Sequence, residues 1–543
     1  MSGLHPIAKI LAVAVTLFCG VGQVPVASAQ DTATTGIEIA LKDALSDTAR
    51  HTAFPRELNW PLLQEFYALR SDAPAWTGSN TAHHLGEVAA ATLMAADSQG
   101  LDPHDYQAAV SAFAAVPPDD AGRLARELLI TNGLLHYARD IAQGRVKPDL
   151  NDADRALPAQ SFDAPAALVD ALGQTDFAAA LADLAPPYSG YRMLVAALAR
   201  YRTIEAQGGW PQIAPADSEI ALDGSDPRAA LLRQRLAVED PAIDMDADQD
   251  NDALKVDLER YQARNGLAAD GRAGPKTLAM LNTPVATRVA QIIANMERWR
   301  WLPRSFEARY IVVQLPDGRL RYVADHRTRL ESRVIFGRPH DPTPVMRTQA
   351  TAVTVNPPWN VPHTIAVKEI LPALQKDATY LVRHHMVLIN GPIGDPYGAT
   401  IDWQNVSART FTYRIQQLPG PDNALGQIKI EMPNRFVVYL HDTPQRSLFA
   451  LSERALSHGC VRVEQILPLA SLALTGDATA AQSMLTDAIA TRATGRLDLP
   501  ETLPVYLLYW TAVPDKDGLL GFRADIYGRD ARLIARLKSG SAS

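Results

Sequence analysis

Apolar residues recur at two different spacings along this chain of 543 residues. From about residue 51 to 213, leucines and alanines fall three and four positions apart, as in residues 62–70 and 124–129, and prolines interrupt them. That spacing puts apolar side chains on one face of an α-helix, and proline marks where a helix stops. We therefore predict a helical domain over residues 51–213.

The next segment, residues 214–284, combines an acidic stretch with a small helical pattern. Residues 215–252 are rich in aspartate but lack the glycine and terminal glutamate of an EF-hand calcium loop, so we predict a solvated linker. Residues 253–283 show helical spacing up to Asn265, then turn residues and a second helix start. A connecting helix is predicted within residues 285–308.

Residues 309–535 read mainly as β-structure. Short runs of β-branched and aromatic residues alternate with Gly, Pro, Asn and Asp, which is typical of strands and turns. The predicted strands include residues 309–315, 319–323, 333–337, 350–355, 428–430, 435–440 and 505–512, the last of which we expect to close the sheet. Residues 363–425 are too long for an ordinary strand connection and indicate an inserted lid. Residues 536–543 are predicted to be a tail.

The composition excludes some classes of protein. With 47% hydrophobic and 21% charged residues the chain is ordinary globular material, and its length suggests three or four domains. It carries 52 basic and 60 acidic residues, for a formal net charge of −8. This balance argues against a non-specific nucleic-acid binder, and nothing indicates affinity for anionic lipid.

The first 29 residues read as a signal peptide. Lys9 supplies the positive charge, residues 10–18 form an apolar run, and Ala27-Ser28-Ala29 fits a cleavage site. The run is short for a membrane span, so we expect cleavage rather than an uncleaved anchor. Residues 30–50 are predicted to be a loose lead-in. We expect a periplasmic mature protein with no stable membrane span.

The clearest chemical signal is the stretch Ser457-His458-Gly459-Cys460. Of the two cysteines, Cys19 lies in the predicted signal peptide, so Cys460 is the single thiol expected after export. His441 lies 19 residues upstream at the end of a predicted strand. A thiol needs a nearby base near neutral pH, and glycine lets backbone amides approach a developing oxyanion. A buried, unreactive cysteine is the alternative.

No metal or organic cofactor is implied by the sequence. The pair His384-His385 could suggest a metal, but no spaced acidic or cysteine ligands accompany it. We expect both to be ordinary surface or core histidines.

The spacing of His441 and the run from Ser457 to Arg462 resembles the signature of the L,D-transpeptidases of the YkuD type, cysteine enzymes that remodel peptidoglycan. The longer match over residues 439–444 and 457–463 is similar to the YcbB-like branch. The resemblance implies a multidomain α+β protein. Its parts would be a helical scaffold domain, a small helical peptidoglycan-binding-like domain within residues 214–284, and a mainly-β catalytic domain with a capping insertion at 363–425. The small domain would either bind peptidoglycan or be a helical spacer that binds nothing.

The same resemblance implies roles for individual residues. Cys460 would be the nucleophile and His441 the base, with the Asp442 carbonyl orienting the imidazole and the Asp442 side chain forming a turn. Ser457, His458 and Gly459 would shape the loop and supply oxyanion amides. Arg462 would either orient a substrate carboxylate or brace the loop. Tyr439 and Trp359 are candidate substrate contacts, with packing an equal alternative for Trp359.

The implied substrates are peptidoglycan stem peptides. Cys460 would attack a tetrapeptide at its diaminopimelate carbonyl, expel D-Ala, and pass the acyl group to a second stem as a 3→3 crosslink. Acylation by a carbapenem is a further expectation. The alternatives are hydrolysis, as in an L,D-carboxypeptidase, transfer to another amine, or a wall-binding protein without activity.

Overall fold

The computed structural model describes residues 29–56, 58–117, 119–214, 219–222, 225–244 and 251–539. The predicted signal peptide lies outside these residues except for Ala29, which begins the first helix. Among the described helices, none has both the length and the apolar character that a membrane span requires.

The amino-terminal half is helical. Its helices are α1 Ala29–Ser46, α2 Trp60–Leu69, α3 Asn80–Met94, α4 Gln107–Ala114, α5 Asp120–Gln143, α6 Ala164–Leu172, α7 Phe177–Ala182 and α8 Ser189–Ala206. The prediction of a loose lead-in over residues 30–50 was wrong. Ile37, Leu41 and Leu45 recur every four residues and are buried, so α1 has an apolar face that packs on the helical core.

Glu127 on α5 joins this helical core to the loop after α2. Its carboxylate accepts hydrogen bonds from the backbone N–H groups of Ala75 and Trp76 and from the hydroxyls of Thr77 and Tyr67, and the side chain is fully buried. Burial raises the pKa of Glu127, and these donors oppose that effect. A buried carboxylate with four donors fixes the loop on the helix.

The segment predicted to be a solvated linker includes a packed helix within the residues that the structure describes, whereas residues 215–218, 223–224 and 245–250 of that prediction lie outside them. It contains α9 Arg228–Glu239, which lies beside α10 Asn251–Arg264 and α11 Pro275–Leu281. Leu232 and Leu236 are one turn apart and bury into the same small core as Leu258. This spacing is helical, and the flanking aspartates masked it in the sequence. The side chain of Gln262 closes the following turn by binding Asp270, Gly271, Arg272 and Thr277.

Helix α12, Val285–Arg300, connects the helical half to the β-rich half. Arg300 donates to the Gln99 carbonyl in the helical half, whereas Arg298 forms a buried ion pair of 2.5 Å with Asp530. Gln291 donates to the backbone carbonyl of Thr511. Helix α12 is therefore largely buried and contacts both the helical half and the β-rich half.

The second half is built on a nine-stranded mixed sheet. Its strands are β1 Arg309–Gln314, β2 Arg319–Ala324, β3 Arg327–Gly337, β4 Met346–Val355, β8 Ile428–Glu431, β9 Leu440–His441, β10 Ala455–Ser457, β11 Val461–Val463 and β12 Gly495–Leu508. The order is β10-β3-β11-β9-β8-β4-β12-β1-β2, and β2 also pairs with β3. This pairing closes the sheet on itself.

Two strand predictions need correction. The late strand β12 does not close the sheet: it lies inside it, parallel to β1 and antiparallel to β4. Residues 435–440 do not form a strand except at Leu440, because the Asn434 side chain holds a turn there by bonding to Phe436 and Val438. Val437 accordingly has a positive φ of 55°.

The remaining elements flank this sheet. Helices α16 Ile466–Thr475 and α17 Gln482–Ala490 follow β11, and the hairpin β13 Ala512–Pro514 and β14 Leu520–Phe522 precedes α18 Arg529–Lys538. Because α18 includes residues 536–538, the predicted tail is partly helical. Its Asp530 is the α12 partner described above.

The insertion at residues 363–425 has a separate apolar core. It contains α13 His363–Ile365, a π-helical turn at Ala366–Ile370, α14 Leu371–Lys376, α15 Tyr380–Arg383, β6 Met386–Leu388 and β7 Ile415–Gln417. Strand β7 pairs with both β6 and β5, Trp359–Asn360. Trp403, Phe411 and Leu374 are buried among the core residues of this unit.

We expect Glu127→Ala to lower the free energy of unfolding of the helical domain by about 3 kcal/mol, because it leaves two buried N–H groups without acceptors. Calorimetric thermal unfolding measures the change. Glu65→Ala removes an exposed glutamate from α2 and is the control. Equal melting temperatures for the two variants would contradict this role of Glu127.

Candidate active site

The residues of the predicted site meet on one face of the sheet. Strands β9 and β11 are parallel neighbours, with Leu440 opposite Val461 and His441 opposite Arg462. Side chains alternate between faces along a strand. Leu440 and Val461 are buried in the core, so the polar side chains that alternate with them share the opposite face. These are Tyr439, His441, Cys460 and Arg462, with Lys429 of β8 paired to His441.

Part of this face, at Lys429, Tyr439 and Cys460, forms the floor of a cavity of about 630 Å³ between the sheet and the insertion. Cys460 is half-buried and lines the cavity together with His458 and Tyr439. The insertion contributes His363 and Arg414 to the opposite wall. The sulfur is therefore open to a ligand-sized space.

The thiol and its surroundings favour the neutral form. Burial raises the pKa of Cys460, and this effect exceeds the opposing hydrogen bonds from Tyr439 and the positive charges of Lys429 and Arg462. The sulfur lies 3.8 Å from the carbonyl oxygen of Val437, to which the S–H donates. Lys429 Nζ lies 4.4 Å from the centre of the Tyr439 ring.

The imidazole of His441 is buried, with 4% of its surface exposed. Burial and then the positive charge of Arg462 lower the pKa of His441 to about 3, so the ring is neutral near pH 7. Its Nδ1 lies 2.6 Å from the carbonyl oxygen of Asp442, which requires Nδ1 to carry the proton. Nε2 is then the basic nitrogen. This is the carbonyl to which the sequence resemblance assigns an orienting role.

The structure brings His441 and Cys460 to one sheet face but does not join them. Among the described residues no hydrogen bond links the sulfur to the imidazole, and His441 does not line the cavity. Hydrogen bonds between catalytic groups are often long in the absence of substrate. His441 lies on β9, and Cys460 immediately precedes the neighbouring strand β11. The S–H is directed at the Val437 carbonyl and not at the imidazole.

The prediction that the Asp442 side chain forms a turn was wrong. One carboxylate oxygen accepts from the backbone N–H of Gln427 at 3.0 Å, and the other binds Arg446 at 2.6 Å. Gly426 packs directly against this side chain with φ +62°, where a Cβ would lie 2.4 Å from Asp442 Cβ. The side chain thus ties two loops to the strand that carries His441.

The loop of residues 457–460, here the Cys460 loop, is held by its own polar groups. Ser457 Oγ donates to the Cys460 carbonyl at 2.5 Å and accepts from the Gly459 N–H at 3.1 Å. The Gly459 N–H is therefore committed, which removes it from the predicted oxyanion donors. Gly459 has φ +109°, a region that favours glycine. Thr343, which the sequence analysis missed, donates to the Gly459 carbonyl at 2.7 Å.

The other predicted site residues fall into two groups. Tyr439 and His458 line the cavity, and His458 Nε2 lies 2.5 Å from a carboxylate oxygen of Glu369 in the insertion. Arg462 and Trp359 do not line the cavity. Arg462 donates to Gln445 at 2.8 Å, which is the bracing arrangement, and Trp359 packs against the core of the insertion.

Metal ligation has no geometric support in the described part of the chain. No group of three or more His, Cys, Asp or Glu side chains is arranged there to hold an ion. The ring of His384 stacks on Tyr380 with centroids 3.9 Å apart, and its Nδ1 lies 2.9 Å from the Tyr380 carbonyl oxygen.

Comparison with known families gives two matches that fit this architecture. Residues 308–481 match the L,D-transpeptidase catalytic domain, YkuD, and residues 61–198 match the scaffold domain. The β-rich half of the chain is therefore similar to the L,D-transpeptidase catalytic domain of the YkuD family. The helical half contains the scaffold domain that the sequence resemblance predicted.

Individual relatives have the same description. A Haemophilus influenzae protein named as a candidate L,D-transpeptidase is 37% identical over 254 residues, which cover 46% of this chain and 50% of the relative. The alignment thus spans half of that protein's length. Solved L,D-transpeptidase structures from Xylanimonas cellulosilytica and Stackebrandtia nassauensis are 14% and 13% identical, with TM-scores of 0.18 and 0.21. They cover 54% and 55% of this chain, and 100% and 96% of their own.

We expect the alkylation rate of Cys460 by iodoacetamide to keep rising through pH 8.5, by about tenfold per pH unit, because burial raises the pKa of this thiol and only the thiolate reacts. Peptide mass mapping separates Cys460 from Cys19. Unfolded protein, with an ordinary thiol, is the control and should level off near pH 8.5. A plateau below pH 7 would reveal a thiolate–imidazolium pair and contradict the neutral resting state.

Proposed function

We propose that this chain is an exported L,D-transpeptidase that forms 3→3 crosslinks in peptidoglycan through an acyl-enzyme on Cys460, with His441 as the base. The observation that carries the proposal is the shared sheet face. A half-buried thiol opens to a cavity there, beside a neutral imidazole whose Nδ1–H is held by a backbone carbonyl. The YkuD match supports the reaction class.

The first half of the reaction forms a thioester. The sulfur turns from Val437 toward Nε2 of His441, which takes the thiol proton as the sulfur attacks the diaminopimelate carbonyl. The tetrahedral oxyanion is held by the amides of His458 and Cys460, each worth about 3 kcal/mol. Its collapse breaks the amide bond to D-Ala, and His441 returns the proton to the leaving amine.

The second half transfers the acyl group. The side-chain amine of another stem attacks the thioester carbonyl, and His441 accepts the proton that the amine loses. Collapse of this intermediate breaks the C–S bond and releases the thiolate, which recovers its proton from His441. Because both groups are neutral at rest, proton transfer accompanies each attack.

The charge of the cavity supports an acidic stem peptide as substrate. Lys429 on the floor and Arg414 on the insertion wall both line it. Stem peptides carry free carboxylates, which such cations would attract. We further propose that residues 214–284 bind the glycan wall, and that the mature protein acts in the periplasm, where this polymer lies. Arg462 braces the site in this scheme and does not bind substrate.

Incubating the protein with labelled disaccharide-tetrapeptide should give a crosslinked dimer that has lost one D-Ala, as measured by mass spectrometry. Cys460→Ala should abolish both the dimer and any covalent adduct, since residues 29–539, so far as the structure describes them, hold no other thiol that could form the thioester. Release of tripeptide alone would favour an L,D-carboxypeptidase and contradict transpeptidation. Unchanged muropeptides in cells carrying Cys460→Ala would favour a wall-binding protein without activity.

We expect His441→Gln to slow acylation of Cys460 by a carbapenem about 10²–10⁴-fold, the range that a general base contributes. The adduct is followed by intact mass over time. His83→Gln changes an exposed histidine of the helical domain and is the matched control, with no expected effect. Equal acylation rates for His441→Gln and the unsubstituted chain would exclude His441 as the base.

A further inference from the structure

We propose that Glu369, in the insertion, is a positioning residue that holds the Cys460 loop in its reactive arrangement by binding His458. One carboxylate oxygen of Glu369 lies 2.5 Å from His458 Nε2 and 3.0 Å from Arg338 Nη2. The contact spans 89 positions of sequence and joins the insertion to the residue two before Cys460. The inference rests on the proposed function, because it concerns the same nucleophile.

Three separate segments meet at this carboxylate. Glu369 comes from the π-helical turn at Ala366–Ile370, and such turns are frequent at functional sites. Arg338 comes from the loop after β3, where its Nε donates to Asp341 at 2.6 Å. The backbone N–H of Arg338 also donates to the Ser457 carbonyl at 2.9 Å. The Cys460 loop is thus held from β3 on one side and from the insertion on the other.

The contact reaches the reaction through the backbone of His458. The Gly459 N–H is committed to Ser457, so the amides of His458 and Cys460 remain as oxyanion donors. An oxyanion donor contributes fully only when it is fixed before the charge develops. Holding the His458 ring fixes the orientation of that residue and of its amide.

The same contact couples the insertion to the nucleophile. The insertion has a separate apolar core, so its own packing does not depend on the sheet. The Glu369 side chain is 44% exposed, and exposed ion pairs contribute little to global stability. We therefore expect a loss of Glu369 to change the acylation rate and the order of the loop, with little effect on the melting temperature.

The test measures acylation of Cys460 by a carbapenem at saturating concentration in Glu369→Ala, Glu369→Gln and Asp377→Asn. Asp377→Asn is the matched control, because it removes an acid whose hydrogen bonds stay inside the insertion, with Thr379 and Arg383. We expect Glu369→Ala to lower the maximal rate roughly tenfold, the value of one charge-assisted hydrogen bond. Glu369→Gln keeps an acceptor and should lose less. The half-saturating concentration should change less than about twofold, since substrate binding is retained.

A double-substitution cycle separates positioning from general structure. If Glu369 acts through His458, Glu369→Ala should have almost no further effect in a His458→Ala chain. A tenfold loss in both backgrounds would overturn the inference, as would a rate for Glu369→Ala equal to that of Asp377→Asn.

Hydrogen exchange tests the contact without any reaction. Peptides covering residues 366–376 and 455–463 should both exchange faster in Glu369→Ala than in the unsubstituted chain, and Asp377→Asn should leave residues 455–463 unchanged. Unaltered exchange of residues 455–463 in Glu369→Ala would overturn the inference. An unreactive unsubstituted chain would instead refute the proposed function, and exchange would still decide the role of Glu369.

Discussion

The parallel pairing of two short strands is the constraint on which the site depends. Strand β9 carries His441 and strand β11 follows Cys460, and their register sets Arg462 opposite His441. Parallel neighbours need a long connection between them, and the chain supplies it as the loop, 3₁₀ turn and strand β10 between β9 and β11. A one-residue slip would send either side chain into the core. Leu440 and Val461, which are fully buried, oppose such a slip.

Burial then sets the chemistry of that face. The imidazole is almost completely buried, and the same low-polarity surroundings that lower its pKa raise the pKa of the thiol. Both groups are therefore uncharged at rest, and neither is locked into a salt bridge with the other. An uncharged thiol is less exposed to oxidation than a thiolate, and it can be activated when a carbonyl arrives. The carbonyl of Asp442 accepts from Nδ1–H, which leaves Nε2 as the basic nitrogen of the neutral ring.

The sequence predicted the elements whose signals are local and the residues whose chemistry is rare. The hairpin β1–β2 and the helix α12 follow from short apolar patterns, and the lone thiol within Ser-His-Gly-Cys has few alternative roles. What escaped prediction depends on contacts between distant segments. The residues next to Asp442 in the sequence do not indicate that its carboxylate will bind Gln427 and Arg446. Asn434 resembles an ordinary turn residue, and the sequence does not indicate that its side chain will hold the following residues out of a strand.

Long-range partners also explain the segments that were misjudged. The sequence around α9 is acidic, and such a composition is typical of solvent-exposed segments. Leu232 and Leu236 are nevertheless buried, because α10 packs against α9 and shares a core with it. Likewise the Gly459 N–H looks available to an oxyanion in the sequence, whereas in the structure it donates a hydrogen bond to the Ser457 hydroxyl oxygen. Local sequence fixes which groups a loop contains, whereas tertiary contacts decide which of them remain available.

The insertion gives the thiol of Cys460 surroundings that the sheet alone does not provide. A cavity bounded only by the sheet would leave the thiol in bulk water, where the donors that stabilise an oxyanion are weakened by competing solvent. The insertion supplies the opposite wall, and its apolar core lets it keep its shape as a unit. The insertion contacts the Cys460 loop through charged groups that are partly exposed. Water can take the place of these ion pairs at a small cost in free energy. A polar contact of this kind lets the insertion separate from the Cys460 loop more easily than an apolar contact would.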